Sequence, residues 1–115
     1  MAGEKLYDLS ILNRISGGDQ SFILEMINTF RETAPEYLEK AHQLLEKDAI
    51  DSLSRETHRF IPGVSFLGAK DLEYELMKLE EYTKKHENLD QVPELLSVIS
   101  GKIDDLIACF IRDFE

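Results

Sequence analysis

His58 is the residue in this chain best placed to do chemistry. It lies in the stretch Thr57-His58-Arg59-Phe60-Ile61-Pro62-Gly63-Val64-Ser65-Phe66-Leu67-Gly68-Ala69. The apolar residues around it recur at helical spacing. At about 100° per residue, Ile50, Leu53, Phe60, Val64 and Leu67 cluster on one arc, and His58 falls roughly 120° from its centre. A histidine on the wet face of a packed helix is available to a partner. As a residue type it titrates near neutrality, so a neutral ring with a free nucleophilic nitrogen is populated in cells. The plain competing reading is a solvated surface histidine.

The same wheel places Arg55, Arg59, Pro62, Ser65 and Phe66 on the outward side with His58. Either arginine could reach an anion held on the ring. Pro62, Gly63, Ser65 and Phe66 form an expected docking patch, since an outward Phe beside Pro and a nucleophile is an unusual surface. Pro62 also removes the N–H that would bond to the carbonyl of His58. The apolar stripe continues in phase through Val64 and Leu67. This favours a continuous helix, bent or loosened at the histidine, over a stop at Ile61 and a new start at Pro62.

The elements that would position this surface all read as helices. Asp8 is expected to cap a short helix, Leu9 to Ile15, ended by Gly17-Gly18. Asp19 caps the next, with Phe22, Ile23, Met26, Ile27 and Phe30 inward. Pro35 either opens a further helix or kinks one long one; Tyr37, Leu38, Ala41, Leu44 and Leu45 face inward there. The region of Asp48 opens the helix of His58, and Gly68 closes it. Another helix runs from Lys70 or Asp71 to about Lys85, with Leu72, Leu76, Leu79 and Tyr82 inward. His86-Glu87-Asn88 reads as a turn. The last helix, about Asp90 to Phe114, carries the stripe Leu95, Leu96, Ile99, Ile103, Leu106, Ile107, Phe110 and Ile111. Short connections favour antiparallel neighbours, hence an all-α, up-and-down four-helix bundle with a short extra N-terminal helical segment.

Composition narrows the partners. At 115 residues and 43% apolar, the chain can build one domain with one core. Its net charge of −10 argues against nucleic acid and against anionic membrane surfaces. Glu73, Glu75, Glu80 and Glu81 read as a solvated face. No apolar run approaches the roughly 18 residues of a membrane span, and Met-Ala-Gly-Glu-Lys lacks the core of a secretory signal. A cytoplasmic chain is expected, or a cytoplasmic piece of a larger protein. The lone cysteine, Cys109, excludes an internal disulfide and reads as buried. His42, His58 and His86 fall on separate elements without metal-ligand spacing, so no metal site is expected. No glycine-rich phosphate loop or serine or cysteine nucleophile motif is present.

His58 through Gly68 resembles the phosphoacceptor motif of histidine phosphotransfer (HPt) domains: His, a variable residue, an apolar residue, Lys, Gly, small residues, and a further Gly ten after the His. Phe60 fills the apolar position and Gly68 the last, with Ala69 following. Tyr7-Asp8-Leu9 through Ile15-Ser16-Gly17-Gly18-Asp19 is similar to the opening of these domains, and Phe30-Arg31-Glu32-Thr33-Ala34-Pro35 to their second helix junction. The resemblance implies that His58 accepts a phosphoryl group on Nε2 from a receiver-domain aspartate and passes it to another receiver. It implies receiver partners, within a hybrid sensor histidine kinase in some arrangements. It implies no cofactor of the domain's own, with Mg²⁺ on the receiver.

Two positions depart from the motif. The lysine three after the histidine is Ile61 here, and the following glycine is Pro62. Arg55 or Arg59 is expected to supply the missing charge. Lys70 would lie about 18 Å away along a helix. The departures fit a variant subgroup, an altered choice of partner or a weaker phosphoacceptor; retention of the histidine favours the first. The competing functions are a helical adaptor that docks through the Pro62/Phe66 face without phosphotransfer, and a general-base enzyme using His58. The second would need an oriented acid and a concave pocket.

Overall fold

The computed structural model describes residues 6–115. α1 (Ser10–Ser16) begins where Asp8 Oδ1 accepts the Ser10 N–H at 2.9 Å, and it ends at Gly17, whose φ of 65° is left-handed. α2 (Gln20–Glu46) is capped by Asp19, whose Oδ1 accepts from the N–H groups of Ser21 at 2.9 Å and Phe22 at 3.3 Å. α3 (Ile50–Phe66) carries His58, α4 (Lys70–Lys85) follows, and α5 (Val92–Phe114) has Pro93 in its first turn.

Pro35 and Pro62 both stand inside unbroken helices. Each lies on an exposed face. Each withholds one N–H, from the carbonyl of Arg31 or of His58, while the buried residues beside it keep the helix in register. At Pro35 the flanking Ala34 and Tyr37 are buried; near Pro62, Val64 is fully buried. The open choice at Pro35 thus resolves to one long helix. At 27 residues and about 1.5 Å per residue, α2 spans about 40 Å, matching the longest extent of 42 Å.

Three side-chain pairs make α3 and α4 an antiparallel hairpin. Ser65 pairs with Glu73 beside the turn, His58 with Glu80 midway, and Asp51 with His86 at the open end. On its other flank α3 packs on α2. Tyr37 stacks on Phe60 at 4.4 Å between centroids, and Phe30 lies 6.0 Å from both Phe60 and Phe110. Ring contacts continue to Tyr7, 4.9 Å from Phe110, whose hydroxyl donates to Asp113 at 2.6 Å. The N-terminal segment is thereby tied to the end of α5.

Gly68 is required by the path of that segment. Its φ is +65°, and a Cβ there would stand 2.1 Å from the carbonyl oxygen of Asp8. The Asp8 N–H donates to the carbonyl of Leu67 at 3.0 Å, which holds the two stretches together.

Several expectations are corrected. α1 starts at Ser10, one residue late. α3 begins at Ile50, in the region of Asp48 as expected, with Asp48 itself in the turn at φ 58°. A 3-10 turn, Leu89–Gln91, precedes α5, so the last α-helix begins at Val92. Ile111 is exposed and Cys109 only half-buried, because Phe110 between them points into the core, fully buried, and each neighbour is turned about 100° to one side of it.

Candidate functional site around His58

The rotation of α3 is set by its buried residues. Leu53, Thr57 and Val64 are fully buried. Thr57 adds a specific constraint, since its hydroxyl shares a 2.8 Å hydrogen bond with that of Tyr37. Burial pushes the Tyr37 hydroxyl up to about 12, so it stays protonated in this bond across the physiological range. With Thr57 locked toward α2, the next residue turns by about 100° away from it. The His58 side chain is accordingly 75% exposed, as its place off the apolar arc predicts.

α4 fixes how the ring is presented. Glu80 Oε2 lies 2.6 Å from His58 Nδ1. A carboxylate is acceptor-only when ionised, so Nδ1 carries the proton. That leaves the Nε2 lone pair, on the solvent side of the ring, as the free nucleophilic position. The ring lies in an open depression of about 580 Å³ lined by Asp51, Ser54, Arg55, His58, Arg59, Glu80 and Lys84.

The residues expected around His58 divide into three groups. Arg55 and Arg59 both line the depression; Arg55 donates to Ser52 Oγ at 3.1 Å, and Arg59 Nη1 lies 3.3 Å from Glu56. Pro62, Gly63 and Phe66 are exposed on the same helix. Ser65 is not outward: it is half-buried, and its hydroxyl donates to Glu73 across the hairpin. A Cβ added at Gly63 would meet nothing within 4 Å, so packing within this chain does not require glycine there. Ile61, at the position of the motif's lysine, is half-buried against the core.

Three contributors were not legible from the helical wheel of α3. Glu80 and Lys84 come from α4, and Thr57 is a buried polar residue that hydropathy leaves off the apolar arc. The acidic stretch read as a solvated face is in fact partly enclosed: Glu73, Glu75 and Glu80 are half-buried, and of the four only Glu81 is exposed. A signal existed. With Gly68 as the turn, residues at similar distances before and after it must face each other in an antiparallel hairpin, which brings position 58 opposite 80.

On the other flank of α3, a groove of about 450 Å³ runs between α2 and α3 over Phe30, Tyr37 and Phe60. Gly63 and Arg59 edge it, so Arg59 borders both hollows.

Fold and site together define an all-helical bundle that presents His58, midway along the α3–α4 hairpin, as an oriented, solvent-facing histidine. The model of the Hpt domain family matches residues 25–109, and the chain belongs to that family. It is therefore a phosphotransfer signalling module of the kind that works with response-regulator receivers in phosphorelays. The opening stretch Tyr7 to Asp19 lies outside the matched residues. No curated protein and no solved structure matches the chain. Among the described residues no helix is long and apolar enough to cross a membrane.

Proposed function

We propose that His58 is the phosphoacceptor of a phosphorelay, taking a phosphoryl group from a receiver aspartyl phosphate and passing it to another receiver. One observation carries this reading: an exposed ring whose Nδ1 is bonded to Glu80 at 2.6 Å, leaving Nε2 free. In the transfer, the Nε2 lone pair attacks phosphorus. The bond from phosphorus to the aspartyl oxygen breaks, and the aspartate leaves as a carboxylate. No proton has to move, because the Nδ1 proton remains on a ring that now carries positive charge. The Glu80 carboxylate faces that charge as it develops. Such a transfer depends on in-line positioning and charge neutralisation more than on covalent help from the scaffold.

In this reading the receiver supplies the aspartate and Mg²⁺, and the domain binds no nucleotide. Arg55 and Arg59 add positive potential beside the phosphoryl group. Pro62, Gly63 and Phe66 form the docking face, with Ser65 at its edge. The open space over Gly63 supports close approach by a partner: a mid-helix glycine costs about 0.5–1 kcal/mol relative to alanine and has no internal reason here. The receiver is a separate cytoplasmic protein or part of a hybrid sensor histidine kinase. The test is incubation with a phosphorylated receiver followed by site mapping. The expected product is an acid-labile phosphate on His58 Nε2. Receiver binding without transfer would favour the adaptor reading.

Glu80→Gln keeps the size of the side chain but removes its charge. Its expected effect is a loss of about tenfold in the rate of His58 phosphorylation, with helix content unchanged, because the tautomer is held less firmly and the ring cation is unopposed. A rate equal to that of the parent chain would rule out a positioning role.

Phe66 is 41% exposed, two turns beyond His58. Phe66→Glu is expected to weaken receiver binding by about tenfold or more while leaving the unfolding midpoint nearly unchanged, since one docking aromatic can carry a large share of an interface. Calorimetric titration against the receiver measures this, and unchanged affinity would move the docking face elsewhere.

A further inference from the structure

The phosphoacceptor helix lacks the lysine of its motif, and Ile61 cannot replace it. The structure holds another cation in place. Lys84 is exposed on α4 and lines the depression that contains His58. It stands four residues after Glu80, so the two side chains share a helix face. Glu80 touches His58 at 2.6 Å, which aims that face at the histidine ring. Of the three cations around the depression, Arg59 is paired with Glu56 and Arg55 is bonded to Ser52. Among the described residues, Lys84 makes no ion pair. Its ammonium is a compact charge with three rotatable donors on a flexible four-carbon stem, able to reach oxygens above the ring.

We infer that Lys84 is the cation that contacts the phosphoryl group on His58, so that α4 supplies the lysine that α3 lacks. This rests on the reading of His58 as phosphoacceptor. A phosphoryl dianion on Nε2 would stand beside Asp51 and Glu80, in a chain whose net charge is already −10. Glu80 is occupied with the Nδ1 proton and the ring charge. The dianion needs its own counter-charge, and Lys84 is the unengaged one.

Potassium phosphoramidate tests this without a receiver. The Nε2 lone pair attacks phosphorus, the bond from phosphorus to the protonated amino group breaks, and ammonia leaves with the electron pair. The Nδ1 proton stays on the ring. The full chain and its Lys84→Ala and Lys84→Arg variants would be followed by ³¹P NMR. For Lys84→Ala the expected results are a roughly fivefold slower labelling rate and a rise of roughly half a unit in the last pKa of the phosphoryl group, because loss of a nearby cation disfavours the dianion. Lys84→Arg is expected to restore most of both. The titration is a readout that a merely structural role would not move. A labelled parent chain with Lys84→Ala indistinguishable in rate and titration overturns this inference alone. A parent chain that takes no label on His58 overturns the phosphoacceptor reading and this inference with it.

Discussion

A His58→Gln chain is expected to accept no phosphoryl group from a phosphorylated receiver while melting within a few degrees of the parent. The two halves of this expectation come from different parts of the structure. Chemistry is lost because Nε2 is the only position in the depression with a free lone pair on a ring held by hydrogen bonding, and glutamine's amide is not nucleophilic. Folding survives because the side chain is 75% exposed and the rotation of α3 is set by Leu53, Thr57 and Val64. Substitutions at such exposed positions usually shift stability by under about 0.5 kcal/mol. The glutamine can even keep a hydrogen bond to Glu80. Autoradiography after transfer, beside a thermal melt, tests both halves. Persistent labelling would move the phosphoacceptor elsewhere, and a collapse in melting temperature would make His58 a structural residue.

Gly68→Ala is expected to be the most damaging small substitution in the chain for stability. Two costs coincide there. The backbone is left-handed, which a non-glycine residue adopts at a cost of order 1 kcal/mol or more. The new methyl would also stand 2.1 Å from the Asp8 carbonyl oxygen and 2.8 Å from the Asp8 nitrogen, and backbone cannot rotate away as a side chain tip can. Together these should destabilise the fold by about 2–4 kcal/mol, lowering the melting temperature by roughly 10 °C. Gly17→Ala is the control. It has the same φ, +65°, with open space around the added carbon, so only the conformational cost applies. If the two variants melted together, the contact with the N-terminal segment would carry no weight. The glycine that closes the motif thus serves packing: it lets residues before α1 cross the α3–α4 turn.

Helix type, order and approximate bounds were legible in the sequence because amphipathic spacing and capping residues are local signals. The spacing marks Leu72, Leu76 and Leu79 as buried, and Asp19 announces its cap. The misses share one cause. Ile111 continues a perfect stripe, yet a stripe predicts which way a residue points and not whether a neighbour reaches it. Cys109 lies within the same apolar pattern and is only half-buried.

For the site, the sequence by itself determined that residue 58 would face outward, since hydrophobic phase along one helix decides direction. It also determined that the motif's lysine was missing. Only the tertiary structure decided which nitrogen of the ring is free, because that depends on Glu80, 22 residues away, arriving at 2.6 Å. It likewise decided that Lys84 of α4 lines the depression around the histidine, and that Ser65 turns to Glu73 instead of outward. These are contacts between helices. Their partners are chosen by the hairpin register that the turn at Gly68 imposes, and a single helix's periodicity carries no information about what stands across from it.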